Sequence, residues 1–238
     1  MMVDASFSYS GTELDALAEA KNYYRWILSY FAPYMGKRVI EVGAGIGTFS
    51  EFLLNSANVS ELVLFEPTDN LFPQLQNRFS GNIRVKLLHG YLEDLINTTN
   101  LSADSIVLVN VLEHIENDEA FLKAAYQILI SEGTILLFVP ALPQLYGALD
   151  EAVGHYRRYT KPSLASKLQK LGFHIVCLRY FNFPGIFTWF LAGRVMRYKT
   201  LRSSDVRFYD RWIVPYVSRL EKYWEPPIGQ NLVAIAKK

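Results

Sequence analysis

Apolar residues at Leu14, Leu17, Ala18, Tyr24, Ile27, Leu28 and Phe31 recur close to helical spacing, and Pro33 ends the run. A stripe of that period is one buried helix face, so the pattern predicts an amphipathic helix over Glu13–Phe31. Arg38–Val42 is a short run stopped by glycines, which predicts a buried strand, and helical spacing resumes over Thr48–Asn55. The pattern then repeats, with strands over Leu62–Phe65, Ile83–His89, Ser105–Asn110 and Thr134–Val139, and helices over Asn70–Phe79 and Asp118–Ile130. Strand and helix in turn at this spacing imply parallel crossover units and an open α/β sheet.

Beyond Phe173 the rhythm changes. His174–Tyr180 and Asn231–Lys237 read as strands, separated by a long aromatic insertion of helical rhythm, Gly185–Tyr223. Basic residues outnumber acidic ones there by eight to three, a local charge of +5. The whole chain has 24 Lys and Arg against 23 Asp and Glu, so nothing global points to a nucleic-acid partner. With 238 residues, half of them hydrophobic, the chain suits one domain with a full core and is short for two. The single cysteine, Cys177, excludes an intramolecular disulfide and a thiolate zinc cluster and fits a reducing compartment. Met1–Thr12 lacks a basic region followed by an apolar run, and Phe181–Met196 is broken by Pro184, Gly185 and Arg194. Neither reads as a signal peptide or a span of about 20 apolar residues, so a soluble cytoplasmic protein is expected.

The strongest chemical signal is Val39-Ile40-Glu41-Val42-Gly43-Ala44-Gly45-Ile46-Gly47, a buried strand running into a glycine turn and then a helix. Glycine serves where the backbone turns sharply or approaches a ligand closely, and such a loop at a strand's carboxyl end lies where open sheets bind ligands. The dinucleotide fingerprint is G-x-G-x-x-G, whereas Thr48 stands at the third position here. Glu41, two residues before the first glycine, suits an ammonium group better than a pyrophosphate. No Gly-Lys-Ser/Thr follows, which excludes a Walker phosphate loop. The second strand ends Phe65-Glu66-Pro67, placing a carboxylate about 20 residues beyond the loop, where an acid typically receives ribose hydroxyls.

Together these residues resemble the class I S-adenosylmethionine-dependent methyltransferases, from Tyr23 to about Leu171 and again over the final strand. The resemblance implies a Rossmann-like three-layer sandwich. Its seven-stranded, mostly parallel sheet has order 3-2-1-4-5-7-6, the last strand antiparallel, with the helical insertion before it. It also implies S-adenosylmethionine as cofactor, with Gly43, Ala44, Gly45 and Gly47 on the methionine part, Glu41 near its ammonium, and Glu66 with Pro67 at the ribose. Where such enzymes often carry an Asp for the adenine, this chain has Tyr91, leaving the Tyr91 and Leu92 backbones or the Tyr91 ring to serve. Val109-Asn110-Val111-Leu112-Glu113-His114 matches the segment flanking the transferable methyl, so Asn110 and Val111 line the cofactor, while Glu113 and His114 either join them or orient the turn. Tyr24 is a candidate for the cofactor carboxylate, and Trp26 reads as core. Residues 1–36 correspond to a lid, and 184–225 to an insertion that covers the acceptor, rests on an anionic membrane, or is an ordinary helical cap.

After the fifth strand, Gly154-His155-Tyr156-Arg157-Arg158-Tyr159 resembles a segment found in a bacterial subgroup acting on small molecules. His155 is a candidate base because its ordinary pKa is near neutral. Arg157, Arg158 and Tyr159 are candidates for binding an acceptor, with a loop tied down by Asp150–arginine pairs as the alternative. The acceptor is then a small or carrier-linked metabolite. An amino-methylase of DNA lacks its Asp/Asn-Pro-Pro-Tyr motif here, and no divalent-metal constellation stands out. A regulatory binder of the cofactor without chemistry is the second reading, and a nicotinamide oxidoreductase the third.

Overall fold

The computed structural model of the protein describes residues 13–95, 101–198, 200 and 202–238, so residues 1–12 of the expected lid lie outside it. The N-terminal apolar stripe forms two helices rather than the one expected, α1 (Glu13–Leu17) and α2 (Lys21–Phe31). The reason is distant in sequence. The Asp210 carboxylate accepts the backbone N–H groups of Asn22 (3.1 Å) and Tyr23 (2.8 Å), first-turn donors that a helix cannot satisfy from within.

The chain continues through β1 (Arg38–Val42), α3 (Thr48–Leu54), β2 (Glu61–Glu66), α4 (Phe72–Phe79), β3 (Val85–His89) and α5 (Leu92–Leu95). Next come β4 (Ala103–Val109), α6 (Asp118–Ile128), β5 (Leu129–Pro140), α7 (Ala148–Val153), α8 (Lys161–Lys170) and β6 (His174–Phe181). Neither α7 nor α8 was among the elements expected, although Leu149, Ala152 and Val153, and Leu164, Leu168 and Leu171, carry helical spacing. Local chemistry starts α8: the Thr160 hydroxyl caps Ser163 N at 3.1 Å, and Pro162 sits in the first turn, where it sacrifices no helical bond. The insertion folds as α9 (Gly185–Trp189), a π-helical segment Phe190–Val195, α10 (Ser203–Trp212) and α11 (Val214–Tyr223), before β7 (Asn231–Lys237).

The seven strands form one sheet in the order β3-β2-β1-β4-β5-β7-β6. Only β7 is antiparallel, to both β5 and β6. Successive strand residues face opposite sides. Val39, Leu62, Leu64 and Val107 therefore pack on α2, α3 and α4 through Ile27, Phe31, Leu53 and Leu75. Ile40, Val63 and Ile106 pack on α6 and α8 through Phe121, Leu122, Leu164 and Leu168. These are the three layers expected.

From β1 the sheet runs outward one way to β2 and β3 and the other way to β4 and β5. The carboxyl ends of β1 and β4 thus flank the switch point, where a crevice opens. The insertion is tied over that edge by buried acids despite its basic excess. Asp210 holds α2, and Glu221 accepts Asn182 N (3.0 Å) and Phe183 N (2.9 Å) just after β6. No helix among the described residues is long and apolar enough to cross a membrane.

Candidate active site

A cavity of about 860 Å³ lies over the carboxyl ends of β1 and β4, enclosed by α1, α2, the loop after β5 and the insertion. Its floor at one end is the glycine turn. Gly43 and Ala44 donate to the Phe65 carbonyl at 2.8 and 3.0 Å, which bends the chain sharply off β1. Gly43 has φ +71°, and a Cβ there would lie 2.6 Å from Val111 Cγ2, so only glycine fits. Leu14 of α1 covers Gly45, close enough that a Cβ on Gly45 would be in contact with it. This is the observed contact between the N-terminal segment and the loop.

Two buried carboxylates support this end. Glu41 faces the cavity with one bond, accepted from the Ser50 hydroxyl at 2.5 Å. Burial pushes its pKa up to about 8, with the Ser50 bond opposing and the Glu66 charge adding to the rise. Such a group is short of positive charge. Tyr24 lines the same wall beside Phe49 and Phe52, and burial and the Glu41 charge drive its hydroxyl well above the usual range. Glu66 closes back on the loop, accepting Gly45 N (2.7 Å), Thr68 N (2.9 Å) and the Thr68 hydroxyl (2.6 Å).

The other end is built from the turn after β4 and the segment after α7. Asn110 takes a left-handed conformation (φ 53°) and turns the chain into the 3-10 turn Leu112–His114. Asp150 is the hub. It accepts His155 Nδ1 (2.8 Å), Arg158 Nε (2.7 Å), Gly147 N (3.1 Å) and Trp189 Nε1 (3.3 Å). Burial alone would raise its pKa, but the His155 bond and the Arg158 charge hold it below the usual range. The bond from Nδ1 to the ionised Asp150 fixes the orientation of the His155 ring and turns Nε2 away from Asp150. Nε2 lies 3.8 Å from Glu113 Oε1, too far for a hydrogen bond. Glu113 is fully buried, and neither of its carboxylate oxygens has a hydrogen-bond partner. Burial raises it to about 7, with His155 opposing. Beside it, burial and the His155 ring lower His114 to about 4.

Of the residues singled out by sequence, Tyr24, Glu41, Gly43, Ala44, Gly45, Asn110, His155 and Arg158 line the cavity. Glu66 and Val111 stand directly behind the glycine turn, and Gly47 (φ 81°) caps α3. Tyr91 is exposed beyond β3, close enough to Glu66 to feel its charge, while Leu92 is buried and Pro67 half-buried. Arg157 and Tyr159 lie outside the cavity and bind Asp118 of α6, at 3.1 and 2.8 Å. Sequence reasoning gave the insertion, with Phe187, Trp189 and Phe190, as an acceptor cover among three readings. In the wall it builds, that reasoning missed the stacking of Trp189 on Arg158 at 4.9 Å and the apolar surface that Leu191 and Met196 add beside Phe187. It also missed the Asn182 side chain, which joins Tyr23, Tyr209 and Gln230 beneath that wall. Their chemistry is ordinary in sequence, and only the fold brings them together.

Residues 16–178 match the model of the family described as methyltransferase domain. No curated protein matches the sequence. Among solved structures, the chain resembles an S-adenosylmethionine-dependent methyltransferase from Archaeoglobus fulgidus, at 18% identity and TM-score 0.60 over 92% of this chain and 94% of that one. One from Mesorhizobium loti matches at 14% identity and TM-score 0.60 over 94% and 100%. The plantazolicin methyltransferase, solved in complex with a triazolic desmethylPZN analog and SAH, matches at 12% identity and TM-score 0.57 over 95% and 86%. The chain therefore belongs to the methyltransferase-domain family, on the fold of the class I S-adenosylmethionine-dependent methyltransferases.

Proposed function

We propose that the protein moves the methyl group of S-adenosylmethionine to a small or carrier-linked acceptor with an apolar body, and that the two ends of the cavity divide the work. The observation that carries this reading is one continuous cavity joining the glycine turn to His155. Its volume of about 860 Å³ is near the upper end of small-molecule sites, room for a donor and an acceptor together.

The donor end fits the cofactor because Glu41 is a buried, under-compensated carboxylate facing it, suited to the methionine ammonium. Gly43, Ala44 and Gly45 allow close backbone approach, and Tyr24 reaches the same region. Glu66 with Pro67 holds the ribose by exchanging its backbone and hydroxyl donors for ribose hydroxyls, and Tyr91 with Leu92 borders the adenine. Asn110 and Val111 bring the methyl-bearing part toward the second half. S-adenosylmethionine supplies an electrophilic methyl group on a sulfonium.

At the acceptor end, His155 takes a proton at Nε2 when the nucleophile must lose one, with Asp150 fixing its tautomer and orientation. Arg158 positions Asp150, and Arg157 and Tyr159 anchor the segment to α6. Leu149, Val153, Phe187, Leu191 and Met196 give the acceptor an apolar bed and exclude water, so alignment supplies much of the rate. The insertion is thus the acceptor's cover.

The test is mass spectrometry of cell extract incubated with the purified protein and isotopically labelled methyl donor. A labelled product is expected, falling at least about 100-fold with His155→Ala, as for loss of a general base. An undiminished variant removes His155 from the mechanism. Donor binding without any labelled product would refute transfer.

A further inference from the structure

Three ligand-type atoms from two separate segments meet at the acceptor end with no hydrogen donor between them. Glu113 contributes a fully buried carboxylate with both oxygens unpartnered. His155 points Nε2 at it from 3.8 Å, its other nitrogen tied to Asp150. His114 packs edge-on to His155, ring centroids 4.7 Å apart, and is itself bonded to the Gly154 backbone. Ligand atoms of the three residues all lie within 4.8 Å of one another, and both imidazoles line the cavity.

A buried carboxylate without donors is costly unless something positive meets it. Arg158 and His155 act on Glu113 through their charge, but neither reaches it with a hydrogen bond, and the described bonds of Arg158 go to Asp150 and the Ala141 carbonyl. We propose that Glu113, His114 and His155 bind a divalent first-row transition ion such as Zn²⁺, with open positions facing the acceptor end of the cavity. Two imidazoles and one carboxylate are nitrogen and oxygen donors suited to such ions rather than to Mg²⁺ or Ca²⁺. Two ligands about 2.1 Å from a common ion lie no more than about 4.2 Å apart. The Glu113–His155 pair already meets that limit, and the His114 ligand atom lies within 4.8 Å of both, so a small approach of the Leu112–His114 turn would close the set. Ligating histidines usually have their other nitrogen held by a carboxylate or a backbone carbonyl, and Asp150 and Gly154 stand in those places. A bound ion would hold His155 Nε2 as a ligand in place of its role as a base, and would itself supply Lewis-acid polarisation of an acceptor oxygen.

Ion binding is measured without donor or acceptor, so it stands or falls apart from methyl transfer. The chelator-stripped full chain is titrated with Zn²⁺ by calorimetry and with Co²⁺ by visible absorption, and its melting temperature is recorded with and without Zn²⁺. One equivalent is expected, with at least tenfold weaker binding in Glu113→Gln and in His155→Gln, and about 10- to 100-fold weaker in Asp150→Asn. Glu113→Gln keeps the side chain's shape and breaks no hydrogen bond of the carboxylate, so it decides the matter even if another variant fails to fold. No binding by the wild type, or equal affinity and equal thermal shift in Glu113→Gln, would overturn the site.

Discussion

Glu66 and Glu113 are both buried acids just at or past the carboxyl end of a parallel strand, yet they live in opposite circumstances. Glu66 accepts three hydrogen bonds, one from the glycine turn and two from Thr68. Glu113 accepts none through its side chain. The difference separates an acid that shapes its loop, and can trade those donors for a ligand's hydroxyls, from one that His155 and Arg158 offset by charge alone, without a hydrogen bond. Asp150, between them in spirit, is saturated by four donors and organises the acceptor end.

The largest effect should come from breaking that hub. Asp150→Ala leaves the Arg158 guanidinium buried without its carboxylate, an uncompensated charge costing about 3–5 kcal/mol. For a chain of this size the melting temperature should fall by about 10 °C in a thermal scan. Restoration by the double change Asp150→Ala, Arg158→Met would sharpen the point, and an unchanged wild-type-like melt for the single variant would break it. Glu66→Ala comes next. Loss of charge-assisted hydrogen bonds worth about 1.5–3 kcal/mol should weaken S-adenosylmethionine by about 10- to 100-fold in calorimetry.

The pH dependence gives a smaller signal. Glu41, raised to about 8 in the folded chain, is protonated there while its unfolded counterpart is ionised above about 4.5. Its contribution to stability is therefore full below about pH 4.5 and is lost as pH climbs toward 8. The donor's ammonium favours the ionised form, so donor affinity should rise over the same window and fall again once the ammonium itself loses its proton, above about pH 8. Glu41→Gln should flatten both curves. A wild-type affinity independent of pH between 6 and about 9 would count against the ammonium assignment. The smallest effect is on ion-free Glu113→Gln, which removes a charge without removing a bond and should raise the melting temperature by about 2–4 °C at pH 8, roughly 1 kcal/mol.

Much of the frame was legible because it rests on local rules. The strand over Arg38–Val42, the glycine turn and the final strand follow from period, β-branching and glycine placement, and the sheet order followed from the resemblance they carry. Tertiary capping was not legible: no pattern near residue 20 announces that Asp210 will take the N–H groups of Asn22 and Tyr23 and split a helix. Around Arg157-Arg158-Tyr159 the composition suggested ligand binding, and the partners Asp150 and Asp118 come from elements that periodicity did not assign to that loop. The Asp150–arginine tie considered as the alternative is present for Arg158. Glu113 and His114 were visible as a pair, but their meeting with His155 depends on the loop after β5 folding back over β4, a non-local event.

The most direct test is a pair of calorimetric titrations of the wild-type chain, one with S-adenosylmethionine and one with NAD, repeated on Glu66→Ala. The glycine turn and its two acids predict one equivalent of S-adenosylmethionine, weakened by the variant, and no NAD. Binding of NAD in place of S-adenosylmethionine would contradict the account at its base.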